Sequence, residues 1–302
     1  MKVLITGASG LVGKKLTDLL LKKEHVVRTL SRSKKETNRV ESYVWDLGNN
    51  TVDVKAFDNL DAVIHLAGEN VAGGRWTNTQ KKKIISSRVD SARLIFDAIA
   101  KLEKKPSVFI SASGVGYYGV DTRERLMNEN DEKGDGFLAE VVDMWEQSAD
   151  KFDSLDMRVV KLRIGVVLAQ EGGALSKMIT PVKFGVGSPL GKGTQQMSWI
   201  HIDDLCNQIV FSMEKEQISG VYNAVSSNPA SNADFTKAIA KTLGKPLFLP
   251  NVPGFVLNMV LGEMAAIVTG GNKVSNEKIK ATGFNYKYEN LHDTLSQILK
   301  TN

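Results

Sequence analysis

The residues of this chain that most plainly specify a chemistry are Thr6-Gly7-Ala8-Ser9-Gly10-Leu11-Val12-Gly13. Their three glycines fall at the spacing that a strand, a tight turn and a helix need to seat a pyrophosphate. Gly7 permits the turn, Gly10 removes a side chain where a phosphate must approach the backbone, and Gly13 lets helix and strand pack closely. The helix start then offers N–H groups without intrahelical partners and a partial positive charge. Ser9, Leu11 and Val12 complete the turn, and dinucleotide binding is the expected chemistry.

A site for NAD places an acidic residue on the ribose hydroxyls about 20 positions further on, at the end of the second strand. Here that stretch reads Val27-Arg28-Thr29-Leu30-Ser31-Arg32-Ser33. Ser31 and Arg32 put a hydroxyl and a guanidinium where a 2′-phosphate would lie. Arg32 can make paired charge-assisted hydrogen bonds to that phosphate, which a carboxylate would repel. NADP(H) is therefore the preferred cofactor, with NAD(H) possible if Arg32 is only a solvated loop residue.

Such a turn needs a parallel sheet behind it, and the first half of the chain alternates strand-length apolar runs with helical periodicity. Strands are expected at Val3–Thr6, Val26–Leu30, Tyr43–Trp45, Ala62–Leu66, Val108–Ser111 and Arg158–Leu162, with long helices over Thr79–Ala100 and Gly136–Phe152. The fold class is α/β: a Rossmann-type doubly wound parallel sheet with a smaller mixed α/β C-terminal lobe. Residues 1–168 are assigned to the nucleotide-binding domain and 169–302 to the substrate lobe, with segments near 198–225 returning to the first lobe. The apolar stretch Gly254–Val268 is too short to span a bilayer and reads as a packing helix.

At 302 residues, 42% hydrophobic and 24% charged, the chain has enough apolar material for a large core, which excludes a disordered or low-complexity class. Its net charge of +5 is dispersed in short lysine clusters such as Lys22-Lys23 and Lys81–Lys83. No nucleic-acid module interleaves them with stacking aromatics, so neither nucleic acid nor membrane is expected as a partner. Cys206 is the single cysteine, which excludes an intrachain disulfide and a cysteine-rich zinc site. The apolar run at Met1–Ile5 stops too soon for a secretion signal, so a cytoplasmic location is expected. No metal is expected: His201 with Asp203 and Asp204 is weak as a ligand set, and the two acids suit a helix start. The helices Thr79–Ala100 and Gly136–Phe152 suit a monomer or a homodimer.

The chain resembles the extended short-chain dehydrogenases/reductases. The glycine turn, Asp46-Leu47, His65-Leu66-Ala67-Gly68, Ser111-Ala112-Ser113, Ser198–Leu205 and Tyr222-Asn223-Ala224 match that superfamily in order. Within it, the chain is similar to the atypical "epimerase family" branch, of the sugar-nucleotide epimerase kind. The marks are Ala67-Gly68-Glu69-Asn70, Arg75-Trp76, Ser87-Arg88, Gly116-Tyr117-Tyr118-Gly119, Phe137-Leu138-Ala139-Glu140, Trp145-Glu146 and Leu261-Gly262-Glu263-Met264. The resemblance implies that Asp46 and Leu47 lie beside the adenine, and that Leu66, Ala67 and Gly68 line the ribose and nicotinamide side.

Ordinary members carry a Tyr and, four residues later, a Lys on the helix after the fifth strand; the phenol exchanges a proton with substrate. Here the two possible frames place Phe137 with Val141 or Leu138 with Val142, and neither offers a phenol or an ammonium. Ser113 is the candidate to hold a reacting oxygen, and Tyr117 or Tyr118 the candidate proton donor. Each also has a local explanation, as a turn hydroxyl or a packed ring. Glu69, Trp76, Arg88 and Glu140 are candidate substrate contacts, against ordinary surface or helix-pairing roles. The expected function is an NADP-dependent epimerase, dehydratase or oxidoreductase acting on a small molecule, possibly a sugar nucleotide. The rival is a non-catalytic regulatory protein that senses NADPH.

Overall fold

A computed structural model describes residues 1–34 and 39–300. Fourteen strands are found among them: β1 (Lys2–Thr6), β2 (Val26–Ser31), β3 (Glu41–Asp46), β4 (Thr51–Val52), β5 (Ala62–His65), β6 (Val108–Gly114), β7 (Asp121–Met127), β8 (Arg158–Ile164), β9 (Val166–Leu168), β10 (Gln196–Met197), β11 (Trp199–His201), β12 (Gly220–Ala224), β13 (Ala230–Ser231) and β14 (Gly271–Val274). The helices are α1 (Leu11–Lys22), α2 (Asn78–Ile99), α3 (Phe137–Asp150), α4 (Gly173–Lys183), α5 (Ile202–Glu214), α6 (Asn232–Leu243), α7 (Gly254–Leu261), α8 (Ala266–Thr269), α9 (Glu277–Lys280) and α10 (Leu291–Lys300).

Val3, Leu4 and Ile5, like Val63 and Ile64, are completely buried. A strand apolar on both faces must be covered on both, which selects a parallel sheet with helices on each side. The observed order is β12-β8-β6-β5-β1-β2-β3-β4, with only the β3–β4 pair antiparallel. The order in which strands are added therefore reverses between β1 and β5, which stay parallel, and ligands of such sheets bind outside the carboxyl ends of the strands at that point. One core layer packs Leu16 and Leu20 of α1 and Leu205 and Ile209 of α5 on Ile5 and Ile64. The other packs Ile95 and Ile99 of α2 and Phe152 on Leu4, Val63 and Phe109.

The second lobe is built from short pieces. β10, β13, β14 and β7 form a four-stranded sheet, and β9 with β11 a two-stranded one. A third core gathers Leu175, Ile179, Trp199, Phe235 and Leu295. Strand β12 leaves this lobe and pairs in parallel with β8 at the edge of the large sheet. Segment 254–268 is not one packing helix: α7 ends at Gly262, in the left-handed region at φ 62°, and a 3-10 turn precedes α8. No residue of α7 is buried, and Phe255, Met259 and Val260 face solvent. Helical periodicity reports that a face is apolar and is silent about whether a neighbour covers it. Arg75 fastens the end of α7 by donating to the carbonyls of Val260 (2.9 Å) and Met259 (2.5 Å). Among the described residues no helix is long and apolar enough to cross a membrane.

Candidate functional site

The glycine turn has the shape its residues predict. Gly7 stands at φ 72°, and a Cβ there would meet the Leu66 carbonyl carbon at 2.8 Å. A Cβ on Gly13 would stand 2.2 Å from the Gly7 carbonyl oxygen, so strand and helix approach as only glycine allows. Gly10 precedes α1 with extended backbone and contributes no side-chain cap. The first-turn N–H groups of α1 are thus left facing out of the end of β1, a setting that favours an anion.

This turn forms one wall of a cavity of about 850 Å³. Gly7, Ala8 and Ser9 line it with Ser31 and Arg32 after β2, Leu47 after β3, and Ala67, Gly68 and Glu69 after β5. Lys14, Arg32 and Arg39 bring three cations to its surface, against the acids Asp18 and Glu69. Trp45 and Leu47 add an apolar wall. Asp46 does not line the cavity: its carboxylate accepts from the backbone N–H of Gly48 (2.8 Å) and Asn49 (3.2 Å) and from the Asn49 side chain. These hydrogen bonds hold the carboxyl below its ordinary pKa and fix the turn that presents Leu47. Gly10, Leu11, Val12, Gly13 and Leu66 stand behind the lining residues. Leu11 packs toward Gly172 and Gly173, and Val12 toward the core.

The wall after β5 is pinned from below. Ser91 Oγ donates to the Ser87 carbonyl (2.7 Å), so it accepts from His65 Nε2–H at 3.0 Å. His65 Nδ1 is left as an acceptor for the Thr6 hydroxyl (2.7 Å), whose oxygen in turn accepts from Ala67 N–H (3.2 Å). Burial pushes the His65 imidazole down to about 4, consistent with this neutral tautomer. Arg88 is also buried, and burial lowers its pKa to about 10. It donates to the carbonyls of Ile84 (2.8 Å) and Glu69 (3.1 Å), with its guanidinium 4.8 Å from the Trp145 ring. Gly68 is needed beside it, since a Cβ would fall 3.0 Å from Arg88 Cζ. Arg88 therefore holds the 67–69 loop in place, and Glu69 borders the larger cavity.

A second cavity of about 420 Å³ opens beyond the end of β6. Trp76, Val115, Gly116, Phe137 and Leu138 line one side, and Met197, Ile267 and Asn272 the other. A Cβ on Gly116 would stand 3.3 Å from Leu138 Cβ, and one on Gly114 3.8 Å from Val142 Cγ2. Leu138 and Val142 thus face the end of β6.

The candidate proton carriers lie in a buried polar chain. Ser113 donates to Glu146 Oε1 at 2.6 Å, and Arg163 grips both carboxylate oxygens at 2.8 and 2.9 Å. Arg163 also donates to the Tyr118 oxygen (3.1 Å), and the Tyr118 hydroxyl donates to Asn223 Oδ1 (2.7 Å). Burial works against the Arg163 charge, but the Glu146 hydrogen bonds outweigh it and leave the pKa above its ordinary value. Burial pushes the Tyr118 phenol up to about 12. Tyr117 covers the same guanidinium, its ring centre 3.4 Å from Arg163 Cζ. Ser113, Tyr117 and Tyr118 are thus brought together around Arg163. Glu140 is not among them: it is exposed and paired with Lys133 at 2.9 Å.

Comparison with known proteins agrees with the fold. The model of the NAD dependent epimerase/dehydratase family matches residues 3–224. The chain belongs to that family. A second model, described as a domain of unknown function, matches residues 252–298. The epimerase family protein YfhF of Bacillus subtilis is 34% identical over 99% of this chain and 98% of its own. The human epimerase family protein SDR39U1, solved with NADPH, superposes with a TM-score of 0.88 at 32% identity, covering 100% of both chains. The UDP-glucuronic acid 4-epimerase of Bacillus cereus, solved with UDP-glucuronic acid and NAD, shares the fold (TM-score 0.80, 20% identity, 98% and 96% covered).

Sequence reasoning about this epimerase-family chain missed Arg39, Lys14 and Trp45 in the larger cavity, and Met197, Ile267 and Asn272 in the smaller one. Lys14 was within reach, since it follows Gly10 by four positions and so shares its helix face. Arg39 and the second-lobe residues reach their sites through loops that carry no periodic signal.

Proposed function

We propose that this chain binds NADP(H) in the larger cavity and acts as an oxidoreductase of the epimerase family in the smaller one, on a small carbonyl compound with NADPH or a small alcohol with NADP. The observation that supports this most strongly is the cradle at Gly7 and Gly13, where side chains are excluded by backbone at 2.2 to 2.9 Å, facing a rim of Arg32 and Arg39. The α1 start and Ser9 suit the pyrophosphate. Arg32 and Arg39 suit a 2′-phosphate through charge-assisted hydrogen bonds, and the human relative solved with NADPH supports the same choice. Leu47 and Trp45 offer an apolar face to the adenine. When bound, the reduced nicotinamide supplies a hydride; the protein's share is position, exclusion of water and a proton path.

Ser113, buried next to the end of β6 and outside the lining of both cavities, is the hydroxyl that this reading assigns to the proton path. Its own hydrogen is committed to Glu146, so its oxygen is available only to accept. In the resting state such an oxygen accepts from an alcohol, the substrate that pairs with NADP; reduction of a carbonyl by NADPH instead turns the Ser113 hydrogen from Glu146 to the carbonyl oxygen, a proton that solvent then returns to Ser113. Calorimetric titration with NADPH, NADP, NADH and NAD tests the cofactor assignment, with saturable and tightest binding of the 2′-phosphorylated pair expected. No binding of any dinucleotide would remove the whole reading.

A specific observation favours a second reading, in which the chain senses the NADPH/NADP ratio without turnover. Leu138 and Val142 are apolar, and the hydroxyls of Ser113 and Tyr118 are spent on buried partners. A sensor must bind the two redox forms with different affinity. Equal affinities in the same titration would dismiss it.

A further inference from the structure

The smaller cavity carries information about its occupant, on the reading that the larger one holds the dinucleotide. Its charged lining residues are Asp135 and Glu263, and the described lining includes neither lysine nor arginine. Lys81 lies nearby, but it is paired with Glu263 at 2.5 Å and sits 5.2 Å from the Phe137 ring centre. The larger cavity, by contrast, presents Lys14, Arg32 and Arg39.

The polar groups of the wall are largely consumed by the protein itself. The Trp76 indole N–H donates to the Val71 carbonyl at 2.8 Å, leaving its rings for packing against Phe137, 4.9 Å away and nearly edge-on. Ser198 Oγ donates to the Asn272 carbonyl (2.8 Å) and accepts from Val274 N–H (3.0 Å). The Asn272 amide donates to the carbonyls of Val115 (2.6 Å) and Gly119 (3.1 Å). What remains toward the cavity is mainly aromatic and aliphatic carbon. A diphosphate brought here would lose its hydration beside Asp135 and would find the neighbouring cation, Lys81, already paired with Glu263.

We propose that the smaller cavity takes a compact, mainly apolar alcohol or carbonyl compound, uncharged or cationic, and excludes phosphorylated and nucleotide-linked substrates. Similarity of fold to a UDP-glucuronic acid 4-epimerase does not transfer that enzyme's substrate, because the charge of this cavity opposes it. An aromatic ring suits the space between Trp76 and Phe137 on one side and Ile267 on the other, while its reacting oxygen points to the end of β6.

The test uses the full chain loaded with NADPH, and loading is verified first through nicotinamide fluorescence. Failure to load would overturn the parent reading, and the titrations below are then still read on the cavity alone. Two probes are titrated: 2-acetonaphthone, a neutral bicyclic ketone, and UDP-glucose. Saturable binding of the ketone, without binding of UDP-glucose, is expected. Ile267→Trp and, independently, Ala266→Phe fill the cavity and should weaken the ketone at least ~tenfold while NADPH affinity, which checks folding, is kept. If neither variant folds, the wild-type contrast between the two probes decides. Binding of UDP-glucose that is lost on filling overturns the proposal, as does a ketone that fails to bind or that binds folded, filled variants unchanged.

Discussion

Ser113 at the end of β6 and Glu146 on α3 stand 2.6 Å apart, the hydroxyl donating to a buried carboxylate that Arg163 holds with two further hydrogen bonds. This pairing makes unequal predictions for its members. Glu146→Leu leaves the Arg163 guanidinium buried without its counter-charge and should cost about 3–5 kcal/mol of stability. Ser113→Ala removes one hydrogen bond to a charged group while the ion pair survives, a loss of about 1–3 kcal/mol. Urea denaturation distinguishes the two, and equal losses would contradict the ranking. If Ser113 serves only as structure, its alanine variant keeps turnover on any substrate that is found.

Gly13 and Gly10 should respond differently to the same substitution. Gly13→Ala places a Cβ 2.2 Å from the Gly7 carbonyl oxygen, so strand and helix must separate. The expected cost is at least about 1–3 kcal/mol of stability, accompanied by loss of NADPH binding. At Gly10, the N-cap of α1, the nearest atom stands at 3.3 Å and the backbone is extended, so alanine fits but caps the helix less well and costs about 0.5–1 kcal/mol. The added methyl sits where a phosphate must approach, so NADPH affinity falls even though the fold persists. Melting curves with and without NADPH separate these cases.

Cofactor choice rests on Arg32 and Arg39. Charge-assisted hydrogen bonds of about 1.5–3 kcal/mol correspond to roughly 10- to 100-fold in affinity. Arg32→Asp should therefore weaken NADPH by that factor and leave NADH within a few fold, with Arg39→Ala acting in the same direction. A parallel loss for both cofactors would show that these arginines support the loop rather than read a 2′-phosphate.

His65 should make stability depend on pH. Its pKa is lowered by burial to about 4 from an ordinary 6.5, so the unfolded chain binds more protons than the folded one between those values. The stabilising contribution is complete above about pH 6.5 and lost as pH falls toward about 4, amounting to about 3 kcal/mol in all. About 2 kcal/mol of it is gone by about pH 5. His65→Gln should be less stable at neutral pH and show a shallower decline over this window. An unchanged slope would mean that other groups govern the acid limb.

The elements were legible in the sequence where the physics is local. The β1 turn needs glycine for conformation and close approach, and the strands of the large sheet announce themselves as apolar runs. The helix after β6 showed that no Tyr and Lys pair is present, while only the structure set Val142 and Leu138 against Gly114 and Gly116. The segment over 254–268 was misread because its apolar residues imply burial only if something lies over them, and α7 has no such cover.

The sequence by itself determined the sheet, the phosphate turn and the absence of an acid after β2, since each depends on residues a few positions apart. Tertiary structure decided the rest. It committed Ser113 to Glu146 and Arg88 to the Glu69 carbonyl, brought Arg39 and Arg32 to the lining of one cavity, and closed the smaller cavity with Met197 and Ile267 from the second lobe. Apart from the two arginines, these relationships join segments 19 or more residues apart, set by how helices and lobes pack, and no local spacing encodes them.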